Sequence, residues 1–441
     1  MEQTSANRTP AWNAFLRVWA GVRNRPLRIA LIAFLLRIGW IVIGHTYKFK
    51  TSDDNFSFGW EMGRIAASLA SGHGFSSPFG PPTGPTAWEP PFYPYLMAGV
   101  FLLFGIYSKA SAFVMLTLNS AFSALTCVPI FLIGKRVFSE KVAVGSAWAW
   151  ALLPNVMFWC TRAVWETSLS ALLLAWVFWL ALALEERDGW RPWIEFGTLW
   201  GIIALNGTSL LSFLPAAGLW AWYWRAKRGK RSLAGVVLAS VIFFACITPW
   251  LMRNYRTLGK FIFIRDNFGA ELRLGNGNGA DGTLMLYLDA PHDPYAMRQF
   301  QAMGELNYIA MRKQQAIRYI TADYRRFAVL CLKRFVIFWA GPPRVTDPAW
   351  LGPAKDSLFL GSSVLAIWGL VLALRQRRPG AWLFFWLMLL YPAIYYFVYA
   401  IPRYRHAIEP ELAILCVFVL TEASKQSTAS LRDRSSARGS G

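Results

Sequence analysis

The stretch 59–95 places ionisable side chains among aromatic residues, glycines and prolines. These side chains are of the types that transfer protons or bind anions in enzymes: Glu61, Arg64, His73 and Glu89. Two prolines follow Glu89 directly and hold the chain extended there. This composition suits neither a membrane span nor a simple linker, so the stretch is a candidate functional site.

A second polar group lies near the C-terminal end of the chain and consists of Arg403, Tyr404, Arg405 and His406. Arginine forks match phosphate oxygens better than lysine point charges do, so this group suits the phosphate of a lipid. The alternative is a belt of interfacial side chains, which arginine and tyrosine commonly form at membrane surfaces.

Arg162 and Glu166 are spaced one helical turn apart. An i,i+4 ion pair is the favoured interpretation of this spacing. A role in shaping the binding site is the alternative.

The composition is that of a membrane protein. The 441 residues are 55% hydrophobic, with a mean hydropathy of +0.34, and apolar runs recur along the chain. Several runs approach the roughly 18–20 residues that cross a bilayer, and only helices satisfy their own backbone groups in lipid. The net charge of +21 comes from basic clusters at the ends of apolar runs, a pattern typical of membrane orientation signals rather than of nucleic-acid binding. We therefore predict an all-α polytopic membrane protein that binds no nucleic acid.

The positions of the basic clusters predict a topology in which both termini lie in the cytoplasm. We expect about ten crossings: 29–46, 112–133, 142–160, 166–184, two within 193–224, 233–250, 358–374, 381–400 and 407–420. The predicted domains are a cytoplasmic basic N-terminus (1–28), a transmembrane domain (29–420) and a disordered cytoplasmic tail (421–441). Two long loops, 47–110 and 253–355, should lie outside. Each should hold a helix at the membrane interface, at 93–107 and 326–340 respectively.

Four motifs resemble the GT-C membrane glycosyltransferases, and in particular the branch of the aminoarabinose transferases and protein O-mannosyltransferases. They are EMGRIA with GHGF (61–66 and 72–75), WEPPFYPY (88–95), IGKRVF (133–138), and RYRH with the following Glu409-Pro410 (403–410). The chain departs from the family at two places. Phe58-Gly59 stand where the family usually has an Asp-Glu pair, and Glu89 replaces the Lys or His before the two prolines.

The resemblance implies that a sugar is transferred, with inversion, from a polyprenyl-phosphate carrier to a lipid, glycan or protein acceptor. It places this reaction on the outer face of the cytoplasmic membrane, which we infer to be a bacterial inner membrane. Inversion needs a base for the acceptor hydroxyl, and Glu61 is the first candidate, with Asp54 as the alternative.

For the remaining site residues, the resemblance implies that Arg403 and Arg405, with Tyr404 and His406, bind the carrier phosphate. Arg64, Glu89, Arg162 and Glu166 are expected to contribute to substrate binding. No cofactor is required by the sequence, although acidic side chains could hold a divalent cation. The glycine-rich run 274–279 is interpreted as a turn-rich loop that could cover the site.

Two other functions stay open at the level of sequence. A transporter or lipid flippase would show related halves and charges at mid-membrane, and neither is visible. A non-catalytic scaffold with the same fold would account for the missing Asp-Glu pair.

Overall fold

The computed structural model describes residues 25–49, 56–230, 233–341 and 351–438, and these residues form helices joined by turns and loops. Within these ranges there is no β-strand, only one isolated bridge between Ser76 and Pro85. The α-helices are α1 (Pro26–Ile43), α2 (Glu61–Ala70), α3 (Phe92–Phe104), α4 (Lys109–Leu125), α5 (Cys127–Val137), α6 (Glu140–Leu152), α7 (Pro154–Arg162), α8 (Thr167–Ala183), α9 (Arg191–Asn206), α10 (Leu214–Lys227), α11 (Leu233–Leu258), α12 (Phe268–Gly275), α13 (Pro294–Met303), α14 (Glu305–Ala322), α15 (Tyr324–Ala340), α16 (Leu351–Arg375), α17 (Ala381–Phe397), α18 (Pro402–Arg405) and α19 (Glu409–Arg438).

Every predicted crossing falls on a helix or on a consecutive pair of helices, which confirms the all-helical polytopic class. Among the described residues, four helices are long and apolar enough to cross a membrane, or five if the bent pair α6–α7 counts as one span. The predicted interfacial helices are also present, as α3 and α15. The last helix runs to Arg438, so it extends into the segment that we predicted to be a disordered tail.

The helix α8 forms the centre of the bundle. Its side chains are buried on all sides rather than along one stripe. α8 begins at Thr167, and this first turn lines the cavity described below. The central helix therefore contacts the region that carries the candidate site residues.

A bend of 48° separates α6 from α7 at Leu152–Pro154, where proline cannot continue the hydrogen-bond ladder. The buried Arg37 of α1 donates to two carbonyls near this break, Ala151 O at 3.1 Å and Trp150 O at 3.3 Å. Carbonyls freed by a break in a membrane helix must be satisfied by another group. Arg37 therefore fixes the bend, and α7 turns away to form one wall of the cavity described below.

Candidate active site

A cavity of about 1020 Å³ lies between the outer loops and the outer ends of the membrane helices. Its walls come from the first outer loop, the second outer loop, α7, the start of α8, and the segment 401–409. Glu61 and Arg403 both line it, although they lie far apart in the sequence. The candidate base and the candidate phosphate ligand therefore share one compartment, as the sequence-based hypothesis requires.

The position of Glu61 is set by a tight turn before α2. Gly59 has φ +74° and Trp60 has φ +44°, both in the left-handed region that most side chains avoid. The turn is tied to the segment before α8, because Val164 N donates to Ser57 O at 2.9 Å. A Cβ on Gly59 would come within 2.7 Å of Val164 O. The second position of the family's Asp-Glu pair thus cannot hold a side chain here, and Glu61 is the acid that this turn brings into the cavity.

Glu61 lies in a strongly acidic environment. Burial, followed by the neighbouring carboxylates of Asp289 and Glu89, raises the pKa of Glu61 from 4.5 to about 8. The Glu61 carboxylate accepts a hydrogen bond from the backbone N–H of its own residue and makes no ion pair within the described part of the chain. A carboxylate held in this way is a strong proton acceptor once it is ionised.

Glu89 takes part in a charged network that joins the two outer loops. Arg265 Nη1 lies 3.3 Å from Glu89 Oε2, and Arg265 Nη2 lies 3.6 Å from Glu271 Oε1. Asn267 accepts from Arg265 Nε at 2.7 Å and donates to Glu271 at 2.8 Å. The hydroxyl of Tyr399 donates to the other oxygen of Glu271. Arg265 therefore holds both loops together at the cavity.

The segment before Glu89 is fixed by a buried carboxylate of the second outer loop. Glu305 accepts hydrogen bonds from the Thr86 hydroxyl and from Ala87 N, the latter at 2.7 Å. On the other side, Arg253 donates to Thr86 O at 2.6 Å. Burial raises the pKa of Glu305 to about 7, and that of Glu89 also to about 7. The segment Thr86–Ala87 is therefore held between Glu305 and Arg253, and this fixes the start of the stretch that carries Glu89 and the two prolines.

The two arginines of the RYRH motif have different environments. The Arg403 guanidinium stacks on the Trp165 ring, with its carbon 3.5 Å from the ring centroid. Among the described residues no hydrogen-bond acceptor or carboxylate pairs with it, and its Nε is buried without a partner. Such a group, presented to a cavity, is ready to bind an anion.

Arg405 is only 2% exposed and has a full set of partners. Its Nε donates to Glu409 Oε1 at 2.6 Å. Its terminal nitrogens donate to Ser363 Oγ at 2.6 Å, to Ser362 Oγ at 2.7 Å and to Phe359 O at 3.0 Å. Arg405 borders the cavity but serves to join α18 to α16 and α19.

Tyr404 and His406 also differ in position. Tyr404 lines the cavity and donates from its hydroxyl to the Tyr399 hydroxyl at 3.1 Å. His406 is fully buried, stacks on Trp150 with ring centroids 5.5 Å apart, and is not among the cavity-lining residues. The predicted role of His406 in direct phosphate binding therefore lacks geometric support.

The remaining predicted residues divide in the same way. Glu166 lines the cavity, and its Oε2 is buried without a hydrogen-bond partner. Arg162 is exposed at the last position of α7. Because the helix ends there, Arg162 and Glu166 do not lie on one helical face and do not pair. The predicted i,i+4 ion pair between them was therefore wrong. Arg64 points toward Gly80 in the loop and does not line the cavity. Asp54 lies outside the described residues.

Sequence reasoning missed four cavity residues of the second outer loop and the segment after α17, namely Arg265, Glu271, Asp289 and Tyr399. The motif Arg265-Asp266-Asn267 was visible in the sequence, but nothing in its spacing connected it to Glu89. The glycine-rich run after α12 packs on the end of α17, because a Cβ on Gly275 would come within 1.6 Å of Val398 O. It is a close-packing element, and the wall of the cavity is formed by the residues on either side of it.

Among the described residues no group of three or more His, Cys, Asp or Glu could hold a metal ion. Arg265 lies between Glu89 and Glu271 and pairs with both.

Solved structures with the same architecture define the class of fold. The chain matches the apo form of the Archaeoglobus fulgidus oligosaccharyltransferase with a TM-score of 0.55 at 13% identity, over 93% of this chain and 52% of that one. A structure of the same enzyme in complex with Zn and sulfate matches with a TM-score of 0.52 at 14% identity, over 90% and 49% of the two chains. The chain thus spans about half the length of these structures. It has the fold of the GT-C membrane glycosyltransferases.

A family model matches part of the chain. The model described as dolichyl-phosphate-mannose-protein mannosyltransferase matches residues 88–252, from the WEPP motif into α11. A structure of ArnT from Cupriavidus metallidurans bound to undecaprenyl phosphate also matches, at 13% identity and with a TM-score of 0.37. This match covers 95% of the present chain and 80% of the ArnT chain. A comparison with curated proteins returned no match.

Proposed function

We propose that this protein transfers a sugar from a polyprenyl-phosphate carrier to an acceptor hydroxyl at the outer face of the cytoplasmic membrane. The GT-C fold and the match to a family described by a dolichyl-phosphate-mannose donor support this proposal. The observation that carries it is the presence of Glu61 and Arg403 in one cavity, each without an ion pair among the described residues. The two charges act on one another across this cavity, and the carboxylate of Glu166 also acts on Arg403.

In the proposed reaction, the acceptor oxygen attacks the anomeric carbon as the bond to the phosphate oxygen breaks. Glu61 removes the acceptor proton, and the polyprenyl phosphate leaves with the bonding electrons. Arg403 stabilises the negative charge that grows on the phosphate. Attack opposite to the leaving group inverts the anomeric configuration. The sugar would be a hexose or a pentose, and the acceptor a lipid, a glycan or a protein.

The lipid chain of the carrier would follow the apolar side of the cavity. Leu153, Pro154 and Phe158 of the bent pair and Leu358 of α16 line this side. A polyprenyl chain can enter from the bilayer between helices without crossing a charged surface. The bend fixed by Arg37 is therefore part of the proposed carrier site.

The orientation follows the basic clusters. We propose an inner, or cytoplasmic, membrane location with both termini in the cytoplasm, so that loops 47–110 and 253–355 face outward. A protease or labelling experiment on spheroplasts with single cysteines in each loop tests this orientation. Cytoplasmic labelling of loop 253–355 would contradict it.

The central test uses purified protein and radiolabelled undecaprenyl-phosphate sugars, with release of sugar to water or to added acceptors as the readout. The wild type should turn over, and Glu61→Gln should lose about 10²–10⁴-fold in rate, the typical contribution of a general base. Arg256→Gln, at an exposed residue of α11 that does not line the cavity, is the matched control. Full turnover by Glu61→Gln would move the base to Asp54 or elsewhere. A metal requirement is tested in the same assay by adding a chelator.

A further inference from the structure

The inner end of the cavity has a lining unlike that of the charged mouth. Uncharged polar residues from the start of α8 and from the turn after α9 meet there, and we call this group the hydroxyl recess: Thr167, Ser170, Asn206, Thr208 and Ser209. Thr167 and Ser170 lie on α8, Asn206 ends α9, and Thr208 and Ser209 belong to the short 3-10 helix that follows. Polar side chains inside a membrane bundle tend to mark substrate sites.

Two atoms of the hydroxyl recess lack partners. Asn206 is 2% exposed and donates from Nδ2 to Ser170 Oγ at 3.0 Å, but its Oδ1 is buried without a hydrogen bond. Thr167 is 6% exposed, and its Oγ1 is likewise unpaired. Buried polar atoms are nearly always hydrogen-bonded in folded proteins. Both residues line the cavity, so their unpaired oxygens lie next to space that a ligand with hydroxyl groups could fill.

The hydroxyl recess is coupled to the segment that carries Arg403. Tyr395 donates from its hydroxyl to Ser209 Oγ at 2.9 Å, and its ring stacks on Tyr404 with centroids 4.2 Å apart. Tyr391 donates to Tyr404 O at 2.7 Å. On the opposite side, Glu166 directly precedes Thr167, and both line the cavity. A group attached to a phosphate on Arg403 can therefore extend into the recess.

We propose that the hydroxyl recess binds the ring hydroxyls of a sugar without an acidic group on the carrier phosphate, and thereby selects the donor. This inference rests on the proposed function and narrows the sugar class that it leaves open. Amide and hydroxyl groups can both donate to and accept from sugar hydroxyls. None of the five recess side chains is charged and Glu166 borders the recess, so an acidic sugar would enter without a counter-ion and next to a like charge.

The test measures binding of two probes, undecaprenyl phosphate and undecaprenyl phosphate glucose, to purified protein in nanodiscs. Asn206→Leu and Thr167→Val remove the unpaired oxygens with little change in volume. Each should weaken binding of the glycosylated carrier about tenfold and leave binding of the bare carrier unchanged, since each removes about one hydrogen bond to the ligand. Ser168→Ala is the matched control, because Ser168 is buried and unpaired on the same helix but does not line the cavity.

Three outcomes would overturn the proposal. The recess variants could weaken both probes equally, they could weaken neither, or the wild type could bind the two probes with the same affinity. A carrier that bears an acidic sugar gives a further check, since it should bind more weakly than the neutral one. The proposed function fails separately, if Arg403→Gln binds the bare carrier as well as the wild type does.

Discussion

The contrast between Arg403 and Arg405 gives the sharpest prediction. The two arginines are separated by one residue, carry the same charge and border the same cavity. Replacing each by glutamine removes one positive charge and keeps a polar side chain of similar shape. The environments described above predict opposite consequences for binding and for stability.

Arg403→Gln should abolish carrier binding and leave the fold intact. A charge-assisted hydrogen bond contributes about 1.5–3 kcal/mol. A guanidinium that binds phosphate through two such bonds therefore contributes about 3–6 kcal/mol, or roughly 10²–10⁴ in affinity. Because Arg403 makes no ion pair with the described residues, its removal breaks no close contact, although Glu166 loses a nearby positive charge. The melting temperature should therefore fall by less than it does in Arg405→Gln.

Arg405→Gln should act on the fold instead. It leaves the carboxylate of Glu409 buried without its 2.6 Å partner. Breaking a buried ion pair in this way costs about 3–5 kcal/mol. The expected result is a large fall in melting temperature, with loss of turnover as a secondary effect.

The assay is binding of undecaprenyl phosphate to purified protein in nanodiscs, in parallel with a thermal melt in the same lipid. Undecaprenol, which lacks the phosphate, should bind both wild type and Arg403→Gln equally. The reasoning is refuted if Arg403→Gln binds undecaprenyl phosphate normally, or if Arg403→Gln loses as much thermal stability as Arg405→Gln.

Three further predictions concern the turn, the base and the second outer loop. The kcat/KM of the wild type should rise tenfold per pH unit up to about pH 8 and then level off, because the raised pKa of Glu61 keeps the base protonated below that pH. The rise should be missing in Glu61→Gln. A flat wild-type profile would contradict the assignment. Gly59→Ala should lower the melting temperature and the turnover, since the new Cβ would lie 2.7 Å from Val164 O at a positive φ. Gly72 also has a positive φ but has open space around it, so Gly72→Ala should lower both quantities far less. Equal effects of the two substitutions would argue against the close approach. Glu305→Ala should destabilise the protein by about 1–3 kcal/mol in denaturant unfolding, because the two groups that donate to it lose their buried acceptor, and no loss would show that water replaces it.

Local sequence signals were sufficient for the helices and for the general location of the site. Apolar runs and flanking basic residues depend only on neighbouring positions, so the crossings could be placed from the sequence alone. The helices α3 and α15 were also predictable, and their position at the membrane interface stays a prediction, since one run is short and the other carries Lys333 and Arg334. The sequence could not show which contacts Arg334 makes. In the structure it is fully buried and donates to Phe397 O at 2.9 Å.

The candidate acids were partly predictable for the same reason. Glu61 and Glu89 stood out because they follow aromatic residues in a loop that otherwise needs no charge. Glu271 and Asp289 did not, because acidic residues in a long outer loop are usually solvated. Their importance depends on a cavity wall that no local pattern describes.

The sequence by itself indicated the class of protein and gave the short list of acids and arginines that could perform the chemistry. Hydropathy and charge are properties of neighbouring residues, and they act on each segment separately. Only the tertiary structure decided which of these side chains are available to a substrate. Arg265 meets Glu89 across 176 residues of chain, and Arg405 is held by helices on either side, whereas Arg403 stacks on Trp165 at the cavity. Those assignments depend on contacts between distant segments, which exist only once the helices have packed.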